Sequence, residues 1–291
     1  MARAASVFCV DEIVIFDDGD FTPPSHTATT QNGSVDHDKY TGFTDPNYFL
    51  AHILSYLECP PYLRKRLFPM HPDFQHTGML PSLDTPHHLK ADHWCEYREG
   101  VTVRDNFKDE SKDAQTLVET GWKAKVYIQP DVPISTRVTV RMNEAQKFSE
   151  FIDSTAVAPS APREEQGWYW GYNVRVAESL SSVLTECPFD GGYDLTLGTS
   201  ERGTPLSELG GEEEVPEFQH MLIVFGGVAG LEVAFMADKE LQKLEVKEPK
   251  NLFDFWVNLV PSQGSRTIRT EEAIWLGLMG LKGVTTSKGR R

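Results

Sequence analysis

Residues 258–273 read NLVPSQGSRTIRTEEA and join a short apolar run to a segment of helical periodicity. The apolar run, Phe253–Val260, contains aromatic and β-branched side chains and has the length of a buried strand. Its polar, glycine-containing continuation is typical of a loop at the edge of a sheet. The pattern therefore predicts a strand, a ligand-binding loop and the start of a helix, although an ordinary strand-to-helix connection would have the same pattern.

The predicted helix begins near residue 270. Apolar residues recur at helical spacing over Ile274–Leu281. Thr270 is a favourable N-cap residue, and the helix dipole favours the carboxylates of Glu271 and Glu272 in the first turn. Compensation of that dipole is also the simplest reason for the two glutamates to be there.

Two further strands end in loops of the same kind. Residues 221–230 (MLIVFGGVAG) run from an apolar strand into three glycines, which allow a backbone to approach a ligand closely. Residues 194–203 (DLTLGTSERG) end in a cluster of glycine, hydroxyl and charged side chains. Ligands of open α/β sheets bind outside the carboxyl ends of the strands, so we expect the three loops to converge on one site.

Common nucleotide and nucleophile motifs do not fit these loops. Val228 stands where a dinucleotide fingerprint needs its second glycine, and no Walker-type Gly-Lys-Ser/Thr follows a predicted strand. Arg202 stands where a serine nucleophile elbow needs glycine. The sequence therefore argues against phosphate-cradle chemistry and against a serine hydrolase.

Blocks along most of the chain carry a family resemblance. They are 8–16 (FCVDEIVIF), 57–60 (LECP), 62–65 (YLRK), 84–88 (DTPHH), 98–100 (REG), 169–172 (YWGY), 198–203 (GTSERG), 225–227 (FGG) and 263–272 (QGSRTIRTEE). In this order they resemble the SPOUT superfamily of S-adenosylmethionine-dependent RNA methyltransferases. Within it, they are most similar to the eukaryotic and archaeal branch that includes a spindle-associated animal enzyme.

The resemblance implies an α/β fold in which the last strand and helix pass through a loop and form a deep trefoil knot, a rare exception to unknotted topology. We expect residues 1–95 and 177–291 to form this methyltransferase domain, with a flexible linker at 19–47. Short alternating runs from about residue 96 to 176 predict an inserted β-barrel, whose family counterpart is OB-like. Family members begin with a further strand and helix that we do not find before Ser6, so we expect a truncated product or a late start.

The resemblance also implies the site. The cofactor is S-adenosylmethionine, and the residues that match its binding positions are Arg202, Gly227, Asn258, Gly264, Ser265 and Thr267. The implied reaction is methyl transfer to RNA, with N3 of a uridine in large-subunit ribosomal RNA as the expected target. Arg202 is the expected catalytic cation and Glu271 the expected proton acceptor, with Glu272 as the alternative.

The negative net charge conflicts with RNA binding unless local basic patches contact the RNA. The chain has 43 acidic and 28 basic residues, a formal charge of −15, whereas RNA binders are usually basic. Aromatic residues of the barrel can stack exposed bases, and arginines can contact phosphates. The predicted RNA-binding residues are Arg137, Arg141, Tyr169, Trp170, Arg266 and Arg269.

Composition limits the remaining possibilities. In 291 residues with 40% hydrophobic content, no apolar segment reaches the roughly 20 residues that span a bilayer, and no secretory signal opens the chain, so we expect a soluble intracellular protein. The four cysteines lack Cys-x-x-Cys spacing and are expected to be reduced. His87, His88, His93 and Cys95 lie close together in sequence, but their spacing matches no usual zinc pattern, so no metal is expected.

Two other functions remain open at this point. A non-catalytic RNA-binding or spindle-binding scaffold could keep the same fold, and the acidic charge could indicate a methyltransferase acting on protein or on a small molecule. The resemblance further implies a homodimer formed through the knotted region and a location in the nucleus or nucleolus, with spindle association in mitosis.

Overall fold

A computed structural model describes residues 1–19, 36–105, 115–129, 132–209, 215–227, 229–244 and 246–290. The helices are α1 (Ala2–Val7), α2 (Pro46–Glu58), α3 (Pro61–Leu67), α4 (Ala161–Gln166), α5 (Leu180–Thr185), α6 (Leu231–Ala237), α7 (Lys239–Lys243), α8 (Thr270–Gly280) and α9 (Lys282–Ser287). Short 3-10 helices cover Pro72–Met79, Glu144–Gln146, Leu206–Glu208 and Pro249–Leu252.

The strands are β1 (Glu12–Phe16), β2 (Tyr97–Val103), β3 (Thr116–Glu119), β4 (Lys125–Gln129), β5 (Arg137–Arg141), β6 (Phe151–Val157), β7 (Asn173–Ala177), β8 (Leu195–Pro205), β9 (Met221–Val224) and β10 (Phe255–Asn258). Among the described residues, no helix has both the length and the apolar character needed to cross a bilayer.

Parallel strands form the part of the fold that positions the candidate site. β1 pairs with β7, and β8 lies between β10 and β9 in a three-stranded sheet. One hydrophobic core joins the two groups, because Leu222 and Val224 of β9 pack with Leu180 and Leu231 while Phe16 of β1 lies against them. The predicted strand-to-helix pattern is confirmed, since β10 is followed by α8.

A closed barrel with the strand order β2-β3-β4-β6-β5 occupies the middle of the chain. Its core consists of alternate residues of the strands, including Val118, Val126, Val140 and Ile152. The alternating sequence pattern therefore does form a small β-barrel, and the protein as a whole is a mixed α/β fold that contains it.

The segment predicted to be a flexible linker, residues 19–47, runs into helix α2, which begins at Pro46. Leu54 and Leu57 of this helix are buried, and Asp45 caps the helix by accepting a hydrogen bond from the Tyr48 backbone. Thr41 is fully buried and donates its backbone N–H and its hydroxyl to Asp73. Residues 41–47 therefore belong to the folded body, because these bonds fix them, while residues 20–35 of the predicted linker lie outside the described residues.

Candidate active site

Three segments meet beside the parallel strands: loop 1 (residues 199–203, an irregular stretch within β8), loop 2 (225–227 and 229–230) and loop 3 (259–269). Loop 1 leaves the β8–β10 ladder, since Trp256 pairs with Gly198 but the next residue, Val257, pairs with Thr204. Where the chain returns to the ladder, a side chain at Gly203 would collide with the backbone of Val257. Loop 1 is therefore held against β10 by a backbone contact that only glycine permits.

Side-chain hydrogen bonds to backbone carbonyls connect the three loops. The Asn258 amide donates to the Glu201 carbonyl at 2.8 Å, which joins the end of β10 to loop 1. The Thr199 hydroxyl donates to the Val224 carbonyl at 2.9 Å, which joins loop 1 to the end of β9. The Thr270 hydroxyl donates to the Gly226 carbonyl at 3.2 Å, which joins the start of α8 to loop 2. The convergence expected from the sequence is thus present in the fold.

Helix α8 begins at Thr270, as predicted, but its N-cap is Arg269 rather than Thr270. Thr270 cannot cap the helix, because its hydroxyl is directed to loop 2. Glu272 takes over part of the capping, since its carboxylate accepts a hydrogen bond from the Arg269 backbone N–H at 3.0 Å. Further along the helix, Gly277 faces the Phe225 ring so closely that an added Cβ would lie 3.0 Å from it.

The two predicted catalytic side chains lie at the rim of these loops. The Arg202 side chain is 74% exposed, and its guanidinium lies 3.6 Å from the carboxylate of Glu232 at the start of α6. Glu271 is exposed in the first turn of α8 and lies 4.0 Å from the Arg269 guanidinium. Loop 2 lies between helices α6 and α8, because it is followed by α6 and accepts the hydrogen bond from Thr270 at the start of α8.

Apart from Arg202, described above, the predicted cofactor residues divide into two groups. Asn258 uses both of its polar side-chain atoms within the protein, because its Oδ1 also accepts from the Val260 backbone N–H at 3.1 Å. Gly227, Gly264, Ser265 and Thr267 are exposed in loops 2 and 3. Asn258 therefore fixes the loops, while the other four are placed where a ligand could reach them. A role of these residues in cofactor binding stays a prediction.

Three of the predicted RNA-binding residues have hydrogen-bond partners inside the protein: Arg137, Trp170 and Tyr169. Arg137 donates to Glu58 and to Glu99, in each case at 2.6 Å, and the indole N–H of the buried Trp170 donates to Glu99 at 2.7 Å. The Tyr169 hydroxyl donates to the Val10 carbonyl. The bonds of Arg137 and Trp170 therefore join the barrel to the rest of the fold, and the bond of Tyr169 joins the segment before β7 to the segment before β1. RNA contact by these residues stays a prediction.

The other three predicted RNA-binding residues are arginines. Arg141 also has partners inside the protein, whereas the two arginines of loop 3 are exposed. Arg141 contacts the Tyr97 hydroxyl at 2.9 Å and forms an ion pair with Glu165. Arg266 and Arg269 are exposed beside the candidate site. Of the predicted RNA-binding cations, the loop 3 pair is therefore the one that the fold leaves on an open surface.

Sequence reasoning did not find the buried charge network around Arg137. Glu58 is the last residue of the apolar helix α2, and the His87 ring donates to it at 2.9 Å. Burial would raise the pKa of Glu58, but hydrogen bonds from His87 and Arg137 outweigh it and lower the pKa to about 2. A glutamate on the buried face of a helix was the available signal, because such a charge needs a partner.

Two of the histidines considered as possible zinc ligands contact a backbone carbonyl instead. His87 and His88 both direct Nε2 to the Glu58 carbonyl, at 3.0 and 2.7 Å. In the described part of the chain, the group with metal-ligating atoms close together is instead His52, His71 and Asp73. Asp73 accepts hydrogen bonds from Thr41 and lies 3.0 Å from His52 Nδ1, so these side chains form a hydrogen-bonded cluster.

With this geometry in place, comparison with known proteins defines the class. A family model described as "Putative RNA methyltransferase" matches residues 1–281, and the chain belongs to this RNA methyltransferase family. Three similar relatives are named 28S rRNA (uridine-N(3))-methyltransferase. The mouse protein is 44% identical over the whole chain, which spans 71% of that protein, and the human protein is 43% identical, with 73% of it spanned. The Drosophila melanogaster protein is 41% identical over 97% of the chain, which spans 56% of it.

Proposed function

We propose that this chain uses S-adenosylmethionine to methylate N3 of a uridine in large-subunit ribosomal RNA. Family membership supports the reaction class, and the names of the mouse, human and fruit-fly relatives support the RNA and the methylated atom. The structural observation that carries the proposal is the convergence of loops 1, 2 and 3, which Asn258 and Thr270 join through backbone carbonyls.

The proposal includes a trefoil-knotted SPOUT fold for the methyltransferase domain, formed by residues 1–95 and 177–291. Support comes from β10, which pairs with β8 on both sides of loop 1 and brings the Val257 backbone against Gly203. An OB-like fold is proposed for the inserted residues 96–176. Its support is the strand order of the barrel, in which the first strand pairs with the second and fourth, and the third pairs in parallel with the fifth.

The three loops offer groups that fit S-adenosylmethionine. Gly226 has no space for a side chain, since a Cβ there would lie 2.8 Å from the backbone of Gly230 and of Leu231, so the close turn of loop 2 requires glycine at this position. Gly227 in loop 2 and Gly264, Ser265 and Thr267 in loop 3 are exposed and offer backbone groups and hydroxyls that can bond adenine and ribose. When bound, S-adenosylmethionine supplies an electrophilic methyl group. Asn258 and Thr270 would act as positioning residues for these loops.

Arg202 and Glu271 are the groups proposed to act on the uracil. Methylation at N3 requires loss of the N3 proton, and negative charge then develops on the ring oxygens. The exposed Arg202 guanidinium would stabilise that charge, and the exposed Glu271 carboxylate would accept the proton. Glu272 is less suited to this role because its carboxylate bonds the Arg269 backbone.

We also propose that the protein is a homodimer formed through α8. Trp275, Leu276 and Met279 expose large apolar side chains on this helix, and a contiguous exposed apolar patch is typical of an interaction surface. Light scattering should then give twice the mass of the chain, and a monomeric mass would contradict the dimer. A location in the nucleus or nucleolus, with spindle association, accompanies the proposal as a prediction from the family resemblance.

The experiment that tests the site is calorimetric titration with S-adenosylmethionine of the wild type, Asn258→Ala and Asn251→Ala. Asn251 is an exposed asparagine just before β10 whose side chain makes no hydrogen bond with the described residues, so it is the matched control. Asn258→Ala removes two hydrogen bonds, each worth about 1 kcal/mol, and should weaken the affinity about 10-fold or more. Equal affinities of the two variants would contradict the proposed site.

Turnover tests the reaction itself. The wild type should transfer labelled methyl groups from S-adenosylmethionine to a large-subunit ribosomal RNA transcript, with N3-methyluridine as the product in nucleoside analysis. Absence of donor binding by a folded wild type would instead favour the alternative, an RNA-binding or spindle-binding scaffold that keeps the fold without catalysis.

A further inference from the structure

Two connections of the barrel meet at one end and carry lysines interleaved with aromatic rings. The β3–β4 connection (residues 120–124) and the β5–β6 connection (residues 142–150) are adjacent, because the Lys125 N–H donates to the Glu150 carbonyl and Lys125 pairs with Phe151. We call the group formed by Trp94, Trp122, Lys123, Lys147 and Phe148 the lysine–aromatic surface.

Each lysine of this surface lies over a ring. The Lys123 ammonium is 5.9 Å from the centre of the Trp122 ring, and the Lys147 ammonium is 5.4 Å from the Trp94 ring and 5.8 Å from the Phe148 ring. The two tryptophans contact each other edge to face at 5.5 Å. The surface is therefore continuous from one connection to the other.

Phe148 is the residue that the fold alone does not explain. Its side chain is 91% exposed, so it contributes almost nothing to the barrel core, yet a phenylalanine in water is unfavourable. Phe151, the next aromatic residue along the chain, also has an exposed ring, with the Lys125 ammonium 5.9 Å from its centre. Exposed rings in a row with lysines present faces on which further planar groups can stack.

The charges of the two lysines are not neutralised by a carboxylate among the described residues. Among the residues that the structure describes, neither Lys123 nor Lys147 forms an ion pair, and both rest on rings instead. Glu144 and Glu150 border the surface and are exposed, so the patch is not purely basic, but its lysines stand out in a chain with a formal charge of −15. A groove that combines cations for phosphates with rings for bases is the usual means of binding single-stranded nucleic acid.

We propose that the lysine–aromatic surface binds a single-stranded segment of the RNA substrate, with Phe148 stacking on a base and Lys123 and Lys147 contacting phosphates. This inference rests on the proposed RNA substrate. It assigns the contact to residues other than Arg137 and Trp170, whose polar groups are bonded inside the protein.

The test is fluorescence anisotropy of a labelled, uridine-rich single-stranded RNA titrated with the full chain. Phe148→Ala should weaken binding about 10-fold, because loss of one base-stacking ring has an effect of this order, whereas Phe148→Tyr keeps the ring and should bind like the wild type. Phe43→Ala is the matched control, since Phe43 is 65% exposed elsewhere on the surface. The nearly complete exposure of Phe148 means that its removal should leave the fold and the donor affinity unchanged.

The lysines are tested by salt dependence. A Lys123→Ala/Lys147→Ala double variant should reduce the slope of log affinity against log salt by about 1.4, since each lost phosphate contact on a single strand removes about 0.7. Lys243→Ala is the control, because Lys243 is paired with Glu240 on α7.

The outcomes separate the two proposals. If the wild type binds RNA and both test variants bind it like the wild type, this end of the barrel is a structural or protein-contacting surface, and the present inference is overturned while the proposed function stands. If the wild type methylates the ribosomal RNA transcript but does not bind the single-stranded probe, the present inference is overturned and the proposed function stands; if it binds the methyl donor but neither binds nor methylates RNA, the RNA substrate is overturned together with this surface. Loss of RNA affinity in the test variants alone, with the controls unchanged, supports the assignment.

Discussion

Replacing Arg137 by alanine should unfold the protein more easily, because Arg137 is the counter-charge of two buried carboxylates. Its guanidinium lies 2.6 Å from both Glu58 and Glu99, whose side chains are only 7% and 4% exposed. Removing one partner of a buried ion pair leaves an uncompensated charge and typically costs about 3–5 kcal/mol. Arg137→Met, which keeps part of the aliphatic stem, should show a similar loss because the missing charge decides the effect.

The lowered pKa of Glu58 gives a second, independent value for the contribution of this network to the free energy of unfolding. A carboxyl whose pKa falls from 4.5 to about 2 on folding contributes roughly 3 kcal/mol, and hydrogen bonds from His87 and Arg137 are what lower it against the effect of burial. Since the folded pKa lies below the unfolded one, this contribution is complete above pH 4.5 and is lost as the pH falls toward 2. Without Arg137, burial is opposed by His87 alone, so most of this contribution should disappear at neutral pH.

The assay is thermal and urea unfolding at pH 7 and about pH 3, within the range where the Glu58 contribution is lost, with Arg104→Ala as the control. Arg104 is an exposed arginine directly after β2, so its loss should leave stability within about 0.5 kcal/mol of the wild type. A loss of about 3 kcal/mol should lower the midpoint temperature of Arg137→Ala by roughly 6–12 °C. A variant that unfolds like the wild type but binds RNA more weakly would refute the reasoning and would favour the direct RNA contact predicted from sequence.

Three further changes test other parts of the fold. Gly277→Leu should destabilise the protein by about 1–3 kcal/mol and weaken binding of S-adenosylmethionine, because the new side chain would meet the Phe225 ring. Gly283 lies in open space, so Gly283→Leu should change neither the stability nor the affinity measured by calorimetric titration. Asp73→Asn should flatten the dependence of stability on pH below about pH 4. Burial alone would raise the pKa of Asp73, but hydrogen bonds from Thr41 and His52 outweigh it and hold this pKa below 3.8, so the contribution of Asp73 is lost as the pH falls; an unchanged acid limb in urea unfolding would contradict this. Glu271→Gln should lower the methylation rate and alter its pH profile while donor affinity stays constant, and an unchanged rate would exclude Glu271 as the proton acceptor.

The elements of the site that depend on local sequence could be predicted. Helix α8 begins where its acidic first turn and its apolar periodicity indicate, because both signals lie within a few residues of Thr270. The convergence of the three loops could also be predicted, since parallel strands bring their carboxyl ends to one edge. Only the cap residue differs, because the hydroxyl of Thr270 has a competing acceptor, the Gly226 carbonyl, 44 residues away in the sequence.

The environment of Arg137 and Trp170 could not be predicted in the same way. Alternation along a strand tells which side chains share a face, but it does not tell which charge lies opposite that face. The carboxylate that binds Arg137 comes from Glu58, 79 residues earlier, on a helix outside the barrel. An arginine in an alternating strand therefore has the same pattern whether it faces RNA or a buried carboxylate, and only the fold distinguishes the two.

The bonds that hold the candidate site together have a feature in common. In each of the three cross-loop contacts, a small polar side chain donates to a backbone carbonyl: Asn258 to Glu201, Thr199 to Val224 and Thr270 to Gly226. Because the acceptors are backbone atoms, the loops are fixed without using the charged side chains at their rim. Arg202 remains 74% exposed, with one contact at 3.6 Å to a carboxylate among the described residues. A substrate carrying negative charge can compete for such a contact at low cost, because an exposed ion pair contributes only about 0–1 kcal/mol.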